Sequence, residues 1–367
     1  MSSDLPRPGR VPLLILGMLA LGAGILAGLI RIGVSAPPPG AASVLDHGPL
    51  MIGAFFSTVI SLERAVALGA RWAYLAPLCA GLGGLALIGG LPGQVAAALA
   101  SAGSLLLLLG SIQVYRRQRA LHTLTLALGA AALCGGNVLW LAGAGISAAV
   151  PSWISFLVLT IAGERLELSR FLPPSMVARQ VFAVIVTVIL VGTLPIPGGP
   201  GAARLLFPVG LLALALWLLR QDIARRTVRE RALTRFIAVC LLTGYGWLAV
   251  GALCLLAAGG VLPGTIGYDA GLHAVLLGFL FAMVFGHAPI IFPAILGVRL
   301  PYHPLLYLPL VVLHFSVALR VIATLAGLPT LRSAGGLLNA VALALFVAGT
   351  LASVIRGARE PRGSTGR

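Results

Sequence analysis

The stretch GLHAVLLGFLFAMVFGHAPIIFPAILGVRLPYHPLLYLPLVVLHFSVALR, residues 271–320, sets four histidines, His273, His287, His303 and His314, in a run otherwise suited to lipid. It holds two apolar segments, 267–297 and 303–327, joined by a short link carrying Arg299. Roughly 20 apolar residues suffice to cross the hydrocarbon core, so each segment reads as a transmembrane helix. An ionisable or metal-binding side chain at that depth is costly and is a functional-site hypothesis by default.

The rest of the chain has the same character. Of 367 residues, 59% are hydrophobic and 9% charged, and the mean hydropathy is +1.06. No soluble domain can hide that much apolar side chain, so the expected solvent is a bilayer. The net charge of +16 comes from arginine alone, with no lysine present. Those arginines cluster between apolar segments without interleaved aromatics, which argues for membrane lipid and against nucleic acid as the partner. Cys79, Cys134, Cys240 and Cys254 lie singly in apolar segments. That spacing predicts inert packing, not a disulfide framework or a thiolate metal site.

Cut at proline, glycine and arginine punctuation, the chain gives twelve expected spans: 11–34, 44–69, 72–92, 94–114, 120–146, 149–169, 176–196, 201–219, 233–259, 267–297, 303–327 and 333–355. Residues 1–10 and 357–367 are then tails around one membrane domain, 11–356. With the N-terminus in the cytosol, 21 of the 25 arginines fall on the cytosolic side, which predicts an N-in, C-in protein of a bacterial-type cytoplasmic membrane. The start MSSDLPRPGR lacks a small-residue cleavage site soon after it and reads as a retained first helix. SLER (61–64), AGER (162–165) and FGHA (285–288) recur four helices apart, which suggests three four-helix repeats.

Orientation converts position to depth. His287 and His314 fall about ten residues from the inner ends of their helices, roughly 15 Å deep and near the midplane. They are expected to face each other across neighbouring helices. His47 and His273 fall near the outer surface. An α-helical spacing puts His273 and His287 on one face, about 21 Å apart in height. Pro289 and Pro293 follow His287 and free carbonyls beside it. His122 and His303 sit at the inner edge, where an interfacial histidine needs no function.

Neutral imidazoles at two levels suit haem iron, copper or zinc. Haem needs axial side chains projecting from facing helices and cations for its propionates, and Arg31 and Arg320 lie toward the outer side. The covalent attachment word CxxCH is absent, so the haem expected is b-type. Asp46 and Asp269 neighbour the outer histidines and are candidates to orient an imidazole. Glu63, Glu164 and Glu167 lie in the inner halves of helices 2 and 6, as ion-pair partners or proton carriers. No Ser-His-Asp constellation, Walker loop or HExxH word occurs, and no catalytic residue is assigned.

At LHAVLLGFLFAMVFGHAPIIFPAIL, LHFSVALRV and HGPLMIGAFFSTV the sequence resembles the NnrS family of polytopic membrane proteins. The resemblance implies twelve helices, bound haem and copper, a link to nitric oxide or nitrosative stress, and distant kinship to the haem-copper oxidase fold. In that wider fold a histidine of helix 2 pairs with one of helix 10 across a low-spin haem, here His47 with His273 or His287. The expected function is haem-based nitric oxide or redox chemistry with an unidentified redox partner, using His47, His273, His287 and His314 as ligands. The rival expectation is a proton-coupled secondary transporter built on the midplane histidines and the Pro-broken helix.

Overall fold

The computed structural model describes residues 4–168, 174–194 and 201–359. These residues are helical throughout, with no strand among them. The long helices are α1 Arg7–Arg31, α2 Pro49–Leu68, α3 Arg71–Ile88, α4 Gly93–Arg117, α5 Leu121–Leu141, α6 Ile146–Leu168, α7 Met176–Val191, α8 Gly201–Gln221, α9 Ala232–Ala257, α10 Ile266–Leu296, α11 Pro304–Leu325 and α12 Pro329–Arg359. Eleven are long and apolar enough to cross a membrane, and α7, at 16 residues, is shorter. Large apolar side chains such as Leu19, Leu109, Val184, Leu253, Phe315 and Ile322 point outward, as lipid-facing residues do. The chain is a multi-pass helical membrane protein.

Helix ends follow local chemistry. Thr265 caps α10 by accepting the Tyr268 N–H at 3.2 Å, and Ser175 caps α7 through the Ala178 N–H at 3.2 Å. Gly69 and Gly297 end α2 and α10 in the left-handed conformation, at φ of 66° and 69°, which a side chain would disfavour. The first helix begins at Arg7, inside the expected tail. Arg10 is buried, pairs with Asp4 at 2.7 Å and donates to the Ile295 carbonyl at 2.8 Å. The sequence expectation treated these residues as solvated, whereas the α10 terminus offers Arg10 an orphan carbonyl. Residues 1–3 and 360–367 of the expected tails lie outside the described residues.

Neighbouring helices pack antiparallel through small residues. A Cβ on Gly129 would meet the Phe156 carbonyl of α6 at 3.3 Å, and one on Gly335 would meet the Arg320 backbone of α11 at 2.8 Å. Lipid tails give helices no hydrophobic reason to associate, so close backbone approach supplies the dispersion energy. At the centre α2, α6 and α10 touch one another. They are 67%, 78% and 67% buried, and no other candidate span exceeds 56%.

Both ends of the bundle are tied. At the arginine-rich end Arg7 lies against Gly297, Gly357 against the Arg299 carbonyl, and Arg165 pairs with Asp222. At the opposite end Ser333 donates to the Ile32 carbonyl at 2.7 Å, and Gly192 packs on Phe207. Since Arg165 and Asp222 end α6 and α8, α7 and α8 run out and back between the two ends.

Candidate functional site

At the arginine-poor end a cavity of about 880 Å³ opens between α1, α2, α6, α10, α11 and α12. His47 and His273 both line it, from the starts of α2 and α10. Each is followed by a π-helical stretch, Pro49–Phe56 and Ala274–Phe279. Such widened turns are found mostly at functional sites. The i→i+5 pattern after His273 also breaks the α-helical projection that set His273 and His287 on one face. His287 does not line the cavity, and neither does His314.

Backbone carbonyls fix both cavity imidazoles. His47 Nδ1 donates to the Gly24 carbonyl at 2.7 Å and His273 Nδ1 to its own helix at Asp269, also 2.7 Å. A carbonyl only accepts, so each Nδ1 carries the hydrogen and each Nε2 keeps its lone pair. Gly28 lets the His47 ring lie against α1, where a Cβ would sit 2.8 Å from Cε1 and Nδ1. With Nδ1 held by the carbonyl, Nε2 is the nitrogen of His47 left to ligate a metal.

Arg31, Arg320 and Arg332 line the same space, opposed by Asp269 alone among the lining carboxylates. Arg320 Nη2 donates to His273 Nε2 at 3.0 Å and lies 3.8 Å from Asp269, which is 3.9 Å from Arg332. Asp269, not Asp46, is the aspartate beside an imidazole, 3.2 Å from His273 Nδ1. Asp46 instead accepts the Ser43 N–H at 2.8 Å in a local cap. Phe56, Phe281 and Trp153 form apolar walls, with the two phenyl rings 5.3 Å apart.

The other two midplane candidates separate. His287 Nδ1 donates to the Met283 carbonyl at 2.7 Å, and its buried Nε2 has no hydrogen-bond partner. The charged groups acting on it are Arg165, Glu63 and Asp222, at the arginine-rich end. His314 has the opposite tautomer, because its Nδ1 accepts from Trp247 Nε1 at 3.0 Å. A neutral ring that accepts there carries its hydrogen on Nε2. The facing pair expected of His287 and His314 therefore splits between two environments, one ionic and one aromatic. His303 accepts the Leu305 N–H at 3.2 Å and serves as a helix cap.

The profile of a family described as "Domain of unknown function (DUF8744)" matches residues 10–355, nearly the whole chain. The chain belongs to the DUF8744 family. No curated protein matches this DUF8744 chain.

Among the described residues of this DUF8744 protein, no three His, Cys, Asp or Glu side chains meet closely enough to hold a metal ion. The cavity offers two imidazole lone pairs, apolar walls and an excess of guanidinium over carboxylate. Its volume falls within the 300–1,000 Å³ typical of cofactor sites. Imidazole ligands, apolar walls and cations for carboxylates are the side-chain chemistry that a haem would need. Sequence reasoning missed Arg332, although a signal existed. Arg31, Arg204, Arg320 and Arg332 are the four arginines that the expected alternation leaves on the arginine-poor side, and all but Arg204 line the cavity.

Proposed function

We propose that this DUF8744 protein binds b-type haem in the cavity, that His47 and His273 would hold it, and that it acts in nitric oxide or redox chemistry at the cytoplasmic membrane. The observation that carries the reading is the pair of imidazoles from α2 and α10 entering one cavity, each with Nδ1 held by a carbonyl. Arg31, Arg320 and Arg332 would neutralise the propionates, and Phe56, Phe281 and Trp153 would line the apolar part of the site. Haem would supply there an iron that exchanges an electron and that, held by only one of the two imidazoles, would offer a position to a diatomic ligand such as nitric oxide. The opposite tautomer and aromatic setting of His314 leave it outside this ligand set. Copper lacks a three-ligand cluster among the described residues, so the reading rests on haem.

The same reading takes the chain as NnrS-like, with N- and C-termini in the cytosol and three four-helix groups. Mutual contact of α2, α6 and α10, the second helix of each group, supports the grouping. The out-and-back course of α7 and α8 supports twelve crossings.

The test is an absorption spectrum of detergent-purified protein, oxidised and reduced, with a pyridine haemochrome assay and metal analysis. Stoichiometric b-type haem is expected. A colourless, iron-free preparation after haem-supplemented expression would sink the reading and turn attention to the transporter alternative.

A further inference from the structure

At the arginine-rich end, SLER, AGER and FGHA set Glu63, Glu164 and His287 at the same place in three words, on the three central helices that touch one another. Arg64 pairs with Glu164 across α2 and α6. Arg165 grips Asp222 through two contacts, at 2.7 and 3.0 Å. Asp222 also accepts from the Tyr245 hydroxyl at 2.6 Å and the Ala224 N–H at 2.7 Å. Glu63 keeps only a 3.6 Å contact with Arg64, whose guanidinium is committed elsewhere. His287 is 7% exposed, and its Nε2 lone pair is buried without a partner. Phe56 and Phe281 pack with ring centroids 5.3 Å apart, and Glu63 and His287 follow them by seven and six residues on helices that both run from the cavity toward this end, which sets the two side chains at one level.

We infer that Glu63 and His287 form a proton-binding site, in which one proton from water at the arginine-rich end bonds to the Glu63 carboxylate or to His287 Nε2 and raises the charge of the site by one. Glu63 has no close cation of its own and His287 Nε2 has no hydrogen-bond partner, so a proton taken by either one relieves an unsatisfied buried group. The Glu63 and Glu164 side chains are 25% and 13% exposed, so the site is not sealed within the protein. The other titratable and charged groups of this layer come from several helices. Arg64 comes from α2, Glu164, Arg165 and Glu167 from α6, and Asp222 from the turn after α8. Tyr245 and Cys240 come from α9, with Cys240 against Gly286, and Arg10 of α1 binds the far end of α10. The site stands whether or not the outer cavity holds haem.

pH-difference infrared spectroscopy on the full-length protein in lipid vesicles tests it. Wild type should show a protonated-carboxyl band that shifts when glutamate carboxyls are isotope-labelled, disappears in Glu63→Gln and persists in Glu164→Gln. His287→Gln, which removes the imidazole proton acceptor, should move the midpoint of that band by about one pH unit. The labelled wild-type spectrum needs no variant to fold. A wild-type spectrum with no titrating glutamate band, or a band unchanged in Glu63→Gln and His287→Gln, overturns the assignment.

Discussion

The two ends of this bundle use the same three side-chain chemistries to opposite purposes. At the arginine-rich end guanidinium meets carboxylate: Arg64 with Glu164, Arg165 with Asp222, Arg10 with Asp4. At the other end Arg320 and Arg332 share the carboxylate of Asp269, and Arg31 lines the same open cavity with them. Paired buried charges lock helices at the cost of desolvation, while surplus charges on a cavity wall are held ready for something that brings the opposite sign. The imidazoles divide in the same way. His47 and His273 line the open cavity, where Arg320 occupies His273 Nε2, while His287 presents a lone pair to a buried ionic layer and His314 accepts from Trp247 through Nδ1.

The largest effect should come from breaking a pair at the locked end. Asp222 has a side chain 0% exposed, so Arg165→Met strands a buried carboxylate. A loss of about 3–5 kcal/mol is expected, read as a fall in thermal unfolding temperature or in yield of monodisperse protein. An unaltered unfolding temperature would show that the pair does not lock α6 to α8.

Next are the open-end imidazoles. His47→Ala and His273→Ala should each lower retained haem at least tenfold, about 1.4 kcal/mol, while His314→Ala leaves the Soret band in place. If His314→Ala bleaches the protein and His47→Ala does not, the division between the imidazoles is wrong. Gly28→Ala is a subtler probe, because its methyl would meet the His47 ring at 2.8 Å and push it off the Gly24 carbonyl. A roughly tenfold weaker haem affinity is expected, the size usual for disturbing a group that orients a ligand. Titration of apo-protein with haemin measures it.

The smallest effect is a pH dependence confined to the locked end. Burial alone would raise the Asp222 carboxyl, but Arg165, Tyr245 and the Ala224 N–H hold it below its ordinary value. A depressed carboxyl contributes stability that is present above its unfolded value and lost as pH falls through its folded one. Unfolding temperatures of wild type and Asp222→Asn should therefore converge in strong acid. A constant gap across the acid range would mean that the carboxylate charge contributes nothing.

Much of the fold was legible from residues alone. Lipid cannot satisfy backbone polar groups, so apolar runs of spanning length must be helices, and eleven of the twelve expected spans appear as helices long enough to cross. Ends were less legible. Arg10 looked like part of a solvated tail because its partner, the Ile295 carbonyl, lies 285 residues away in sequence. His47 and His273 were legible as candidates, as were Arg31 and Arg320, because polar groups in apolar runs stand out. Arg332 was legible only as an arginine on the arginine-poor side.

Hydropathy and arginine spacing by themselves determined a many-helix membrane protein, its arginine-rich ends and the short roster of side chains able to do chemistry, because these depend on transfer free energy along the chain. The tertiary structure decided which of them meet. The π-helical stretch Ala274–Phe279 turns His287 away from the cavity that holds His273, α1 supplies the carbonyl that fixes His47, and Trp247 of α9 donates to His314. Those outcomes depend on helix rotation and on hydrogen-bond partners far apart in sequence, and one-dimensional patterning carries no information about either.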